Sequence, residues 1–270
     1  MVNHYLPVKA KILEKHQQTE QDWTYRLECR TKPKSGQFME ISLPGFGECP
    51  ISISDFGEGY LEMTLRTVGK VTVGIDKLKP GDYLYLRGPY GIGFPIETFY
   101  NKHLIIAAGG TGLAPVKSVI NYFYAHQALL KRCNILAGFK TPSNILFKSD
   151  LDKWAQAFSV EVTVDKPDEF GNAIANSCSH KTGLITNLIS DIQLPSLEEV
   201  RVIIVGPPMM MKYTAQEFLL KGMKKENIWV SFERKMSCGI GKCGHCKIDE
   251  TYVCLEGPVF NFTKAQTLFD

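Results

Sequence analysis

The sequence predicts a β plus α/β protein: an antiparallel β-barrel, then a doubly wound parallel sheet, then a small C-terminal cysteine-rich segment. Three observations carry this. The first hundred residues alternate apolar and polar positions between Gly/Pro turns, and beyond them continuous apolar runs alternate with helix-period stretches. Four of the eight cysteines then fall together at Cys238, Cys243, Cys246 and Cys254. With 270 residues, 44% hydrophobic and 22% charged, the chain has room for two ordinary globular domains. A net charge of +3 argues against nucleic acid or an anionic membrane as the main partner. No apolar run approaches the ~20 residues of a membrane span. Met1 to Tyr5 show no signal-peptide core, so a cytoplasmic protein is expected.

The barrel is expected over residues 1–98. Trp23, Tyr25, Leu27 and Cys29 take every second place, as do Met39, Ile41 and Leu43, then Leu61, Met63 and Leu65. Leu84 and Leu86 follow the turn signal Lys79-Pro80-Gly81-Asp82. Short alternating strands broken by Gly and Pro suit a closed antiparallel sheet.

The parallel domain is expected over residues 99–232. His103 to Ala108 is a continuous apolar strand, followed by a helical face of Val116, Val119, Ile120 and Phe123. Further strands are expected at 133–139, 159–164, 200–205 and 227–232, with helices near 182–192 and 209–222. Residues 233–270 form the third region, too short for a core of its own without a staple.

The cysteines of that region are spaced Cys238-x4-Cys243-x2-Cys246-x7-Cys254. The first three match the plant-type ferredoxin spacing for a 2Fe–2S cluster. Four thiolates must converge on a small volume, and Gly239, Gly241 and Gly244 let the backbone bend and aim N–H groups at sulfur. A zinc staple is the competing reading, although zinc ribbons usually present two C-x2-C knuckles and this segment has one. Cys29, Cys49, Cys133 and Cys178 are scattered and read as ordinary core or surface residues.

Two glycine turns stand between strand and helix. Gly109, Gly110, Thr111, Gly112, Leu113, Ala114 and Pro115 form the first, and Gly206, Pro207, Pro208, Met209 and Met210 the second. Both are expected at the carboxyl edge of one parallel sheet, where a helix N-terminus and bare backbone can approach a pyrophosphate. A tight strand-to-helix turn with no ligand is the alternative for the first, and the methionines of the second read equally as buried helix residues. In the barrel, Arg66, Thr67, Val68, Gly69, Lys70, Val71 and Thr72 join a strand to a Gly-Lys turn and a hydroxyl. These groups suit a phosphate, although a basic hairpin is the plainer reading.

Together these segments resemble the ferredoxin–NADP reductase superfamily. Glu233 to Cys246, Tyr252-Val253-Cys254 and Gly257-Pro258-Val259-Phe260 narrow the likeness to one branch. That branch contains dihydroorotate dehydrogenase electron-transfer subunits, sulfhydrogenase gamma subunits and anaerobic sulfite reductase B subunits, and the similarity is greatest to the last. Pro50-Ile51-Ser52-Ile53-Ser54-Asp55 and Asn261-Phe262 extend it over nearly the whole chain. The resemblance implies FAD in the barrel, NADH (or NADPH) in the parallel domain and a 2Fe–2S cluster at the C-terminus. It implies electron delivery to a catalytic partner subunit that reduces sulfite. Other implied destinations are a hydrogenase or a dihydroorotate dehydrogenase; a redox-sensing nucleotide-binding module is an alternative of another class. The superfamily's Arg-x-Tyr-Ser flavin motif aligns with Cys49-Pro50-Ile51-Ser52, which keeps only the serine. Cys cannot clamp a phosphate as a guanidinium does, so that task is assigned to Arg66 and Lys70. Hydride transfer to a flavin needs no side-chain acid or base, and no catalytic residue is named.

Overall fold

In the computed structural model, residues 5–167, 180–194 and 196–269 are described. The chain divides into two compact units.

The first unit comprises residues 1–94 and 232–259. Its barrel is built from β1 (Val8–Gln17), β2 (Asp22–Glu28), β3 (Phe38–Leu43), β4 (Gly47–Gly57), β5 (Tyr60–Arg66) and β6 (Tyr83–Tyr90). The closed order is β1-β2-β5-β4-β3-β6, and every pairing is antiparallel. The alternation seen in the sequence is the interior: Tyr25, Leu27, Met39, Ile41, Leu61, Met63, Leu84 and Leu86 are buried in one apolar cluster. Closure also leaves no unpaired strand edge. The segment after β5 corrects one expectation. It is a helix, α1 (Lys70–Asp76), not a hairpin. Val71 packs against the barrel core and Ile75 is fully buried, so an apolar stripe holds this turn against the sheet.

The second unit comprises residues 95–231 and 260–270. In chain order it contains β7 (His103–Gly109), α2 (Leu113–Ala125), β8 (Arg132–Phe139), α3 (Lys148–Trp154), β9 (Ser159–Val164), β10 (His180–Thr182), α4 (Ile185–Ser190), β11 (Val200–Val205), α5 (Pro208–Leu220) and β12 (Ile228–Ser231). The pairs from β10 across to β12 are parallel. β7 is buried at every position, as expected of a strand covered by helices on both faces. The helix expected at 182–192 is shorter than its apolar pattern, because residues 180–182 pair as β10.

The C-terminal stretch adds β13 (Lys247–Ile248), β14 (Thr251–Tyr252), α6 (Val253–Glu256), β15 (Val259–Asn261) and α7 (Phe262–Ala265). The sheet order is β10-β9-β8-β7-β11-β12-β15. The region expected as one segment at 233–270 is thus divided, residues 232–259 clustering with the barrel and 260–270 with the sheet. The β plus α/β class stands as the sequence predicts.

Candidate functional site

The sheet order places a topological switch point between β7 and β11. From β7 the chain winds outward through β8, β9 and β10, then returns to the other side with β11 and β12. Open α/β sheets bind ligands at the carboxyl ends of the two strands that flank such a reversal. Both glycine turns lie there. Gly109 ends β7, residues 110–112 make a single 3₁₀ turn, and α2 begins at Leu113. Gly206 follows β11, and α5 begins at Pro208.

The two turns press on each other. A Cβ on Gly112 would stand 2.5 Å from the Val205 carbonyl oxygen and 2.8 Å from Gly206 Cα. One on Gly206 would stand 2.8 Å from Met210 Sδ and 3.1 Å from Gly109 N. Gly110 differs, with φ +55° and open space beside it. Glycine therefore serves two purposes here: 112 and 206 let backbones touch, and 110 leaves a free approach to the turn. Leu113, Ala114 and Pro115 are buried and pack the helix, whereas Thr111 is half-buried. Pro207, Pro208 and Met209 are exposed, and Met210 lies beneath the glycines.

On the barrel, Pro50, Ile51 and Ser52 are half-buried on β4, whereas the Ile53 side chain is fully inside the core and its N–H donates to the Gln37 carbonyl. Arg66 is less free than its sequence context suggests. Its Nε and Nη2 donate to the two carboxylate oxygens of the buried Asp22 at 2.9 and 3.0 Å. Thr72 is likewise engaged: its hydroxyl accepts the Val68 and Gly69 N–H groups and donates to the Gly69 carbonyl. The hydroxyl closes the turn ahead of α1 as a capping residue does. Thr67 is half-buried, Val68, Gly69 and Lys70 are exposed, and Val71 leans on the core. Cys49, in the place of the superfamily's arginine, is a half-buried thiol pushed up to about 12 by burial and by nearby Glu40 and Glu48. It stays neutral and cannot replace a phosphate clamp.

The cysteine loop shows the donor pattern of an iron–sulfur site. Cys238 Sγ accepts the backbone N–H groups of Ile240, Lys242 and Cys243 at 3.5, 3.3 and 3.4 Å. Cys254 Sγ accepts Gly241 N–H at 3.2 Å, and Cys246 Sγ accepts Cys254 N–H at 3.5 Å. Gly239, Gly241 and Gly244, all with positive φ, make the folded-back path possible. N–H groups from His245 and Cys238 hold the Cys243 thiol below its ordinary range, favouring the thiolate form a metal takes. Among the described residues, no group of three or more His, Cys, Asp or Glu side chains is already gathered closely enough to hold a metal ion. Four cysteines at this spacing, with N–H groups aimed at sulfur, supply the ligand chemistry of a two-iron cluster.

Arg87 escaped the sequence reading. It follows the inward Leu86 on β6, so strict alternation would turn it to solvent. In the structure it is buried and bonded to Glu48, Tyr90 Oη and the carbonyls of Ser237 and Cys238. Cys178 lies outside the described residues.

Comparison with known proteins bears on this geometry. Residues 106–216 match the oxidoreductase NAD-binding domain, and residues 233–266 match the iron–sulfur cluster binding domain of dihydroorotate dehydrogenase B. Sulfhydrogenase 2 subunit gamma of Pyrococcus furiosus is 32% identical over 98% of each chain. A probable dihydroorotate dehydrogenase B electron transfer subunit of the same organism is 31% identical over 88% of this chain and 83% of its own. The chain belongs to this family of oxidoreductase electron-transfer subunits. The two matched domains contain both glycine turns and all four loop cysteines, so the family's NAD-binding and iron–sulfur regions coincide with the features built above. Among solved structures, an NADH-dependent reduced ferredoxin–NADP oxidoreductase chain shares the fold, with a TM-score of 0.75 at 21% identity over 96% of this chain and 92% of its own. Among the described residues, no helix is long and apolar enough to cross a membrane.

Proposed function

We propose that this electron-transfer subunit takes electrons from NADH, through FAD and a 2Fe–2S cluster, to a catalytic partner subunit of the hydrogenase or dihydroorotate dehydrogenase kind. The observation that carries the reading is the cysteine loop: five backbone N–H groups donate to the Sγ atoms of Cys238, Cys246 and Cys254. Whole-length likeness to hydrogenase and dihydroorotate dehydrogenase subunits supports the destination, and the sulfite reductase expectation gives way to it.

The chemistry supplied by the bound groups is a change of electron number: a nicotinamide gives a pair as hydride, an iron–sulfur cluster takes one at a time, and a flavin handles both. The protein's own task is placement. Gly109 to Pro115 and Gly206 to Met210 would receive the dinucleotide, with Gly110 and Thr111 offering backbone and Met209 an exposed apolar cover. Pro50 to Ile53 and the Arg66 to Thr72 turn would receive the flavin nucleotide. With Arg66 matched by Asp22, the phosphate charge there falls mainly to the exposed Lys70. Cys238, Cys243, Cys246 and Cys254 would ligate the cluster.

The test is an anaerobic visible spectrum of the purified chain, with iron and acid-labile sulfide assayed, before and after NADH. Flavin bands over a broad cluster absorption, bleached by NADH, are expected. A colourless, zinc-containing protein after anaerobic reconstitution would refute the reading. Activity with the hydrogenase, dihydroorotate dehydrogenase and sulfite reductase partner subunits separates the destinations.

A further inference from the structure

We infer that Arg87 is the positioning residue of the cluster loop, a guanidinium that ties the main chain of Cys238 to the barrel wall. The inference rests on the assignment of Cys238 as a cluster ligand. A guanidinium has five N–H donors in a fixed fork. All five are used. Nε donates to Glu48 Oε2 at 2.8 Å and Nη2 to Glu48 Oε1. Nη2 also donates to the Ser237 carbonyl at 2.9 Å. Nη1 donates to the Cys238 carbonyl and to Tyr90 Oη, each at 3.2 Å.

The Tyr90 ring forms the second part of the same seat, because a Cβ on Gly239 would stand 2.7 Å from it. The residue before Cys238, Cys238 itself and the residue after it are therefore all fixed by β6. Cys238 Sγ accepts three of the loop's N–H···S bonds, so its placement sets the geometry of the others. Glu48 anchors the fork and matches its charge, which makes the contact a geometric clamp more than a field. Lysine keeps the charge but has three donors on a flexible stem and cannot reproduce the two-carbonyl grip.

Partners one step out from a metal ligand typically change metal affinity by roughly 10- to 100-fold when removed. Arg87→Lys and Glu48→Gln are expected to lose the cluster to a chelator faster by roughly that factor. Both should shift the electron paramagnetic resonance signature of the reduced cluster and lower its midpoint potential, since fewer N–H···S bonds disfavour reduction. Flavin content and flavin bleaching by NADH should match the wild type. Tyr90→Phe, which removes one acceptor and keeps the ring, should show a smaller shift and decides the matter if Arg87→Lys does not fold. Wild-type resonance, potential and chelator resistance in the variants that fold would overturn the inference while leaving the cluster assignment intact. A wild-type protein that carries no iron and sulfide would overturn both.

Discussion

At the scale of single residues, Glu40 is a buried carboxyl that carries a cost to the barrel. It is fully buried on β3, and neither carboxylate oxygen has a hydrogen-bond partner. Burial, and then repulsion from Glu48, push it up to about 7, with Arg87 opposing. The sign follows from proton linkage. The folded state holds this proton to higher pH than the unfolded chain, whose carboxyl sits near 4.5. The stability associated with Glu40 is therefore highest below about 4.5, falls as pH climbs towards about 7, and stays low above it. Glu40→Gln should raise the melting temperature at pH 8 and leave it nearly unchanged at pH 5, a difference on the order of 2 kcal/mol. Equal shifts at both pH values would disprove the assignment. Nothing in the sequence marks Glu40. Its neighbours Met39 and Ile41 point inward, so alternation assigns it to solvent, yet it is fully buried near Glu48, Arg87 and Cys238. Arg87 was illegible for the same reason. Asp22 and Arg66 lie 44 positions apart, and their pairing is a product of β2–β5 register rather than of local pattern.

At the scale of elements, legibility followed periodicity. The strands at 133–139 and 200–205 were readable because parallel strands covered on both faces are largely apolar, and 159–164 because Val160, Val162 and Val164 alternate with polar residues. Helix α1 was not, because its seven residues are too few for a 3.6-residue period to stand out against the Gly-Lys turn. The glycine turns were visible as motifs, but their mutual contact came only with the strand order β8-β7-β11. That contact can be tested apart from ligand chemistry. Gly112→Ala puts a methyl against the Val205 carbonyl with no flexible side chain to yield. Such overpacking costs about 1–3 kcal/mol, and the strain falls on both turns at once. The expected result is a lower melting temperature together with weaker NADH binding by titration. Gly110→Ala, beside open space but at φ +55°, should cost only about 1 kcal/mol of backbone strain. If Gly112→Ala were as stable as the wild type, the two turns would not be packed as described.

At the scale of the whole molecule, the chain separates a two-electron input from a one-electron output, and each depends on different residues. The glycine turns belong to the sheet unit, and the thiols of the cluster loop belong to the barrel unit. Damage to one should spare the other. Cys243 is the exposed member of the four cysteines, so its replacement disturbs packing least. Cys243→Ser should leave NADH-driven bleaching of the flavin near the wild-type rate while electron delivery to the partner subunit falls by at least roughly 10-fold. Gly112→Ala should show the reverse: slow bleaching by NADH, but normal delivery once the protein is reduced chemically with dithionite. Stopped-flow absorbance for the first step and partner turnover for the second measure the two independently. If Cys243→Ser delivered electrons at the wild-type rate, the output would bypass the loop, and the reason for carrying an iron–sulfur segment in this chain would have to be structural. If both variants lost both steps together, the input and output would not be separable functions of the two units.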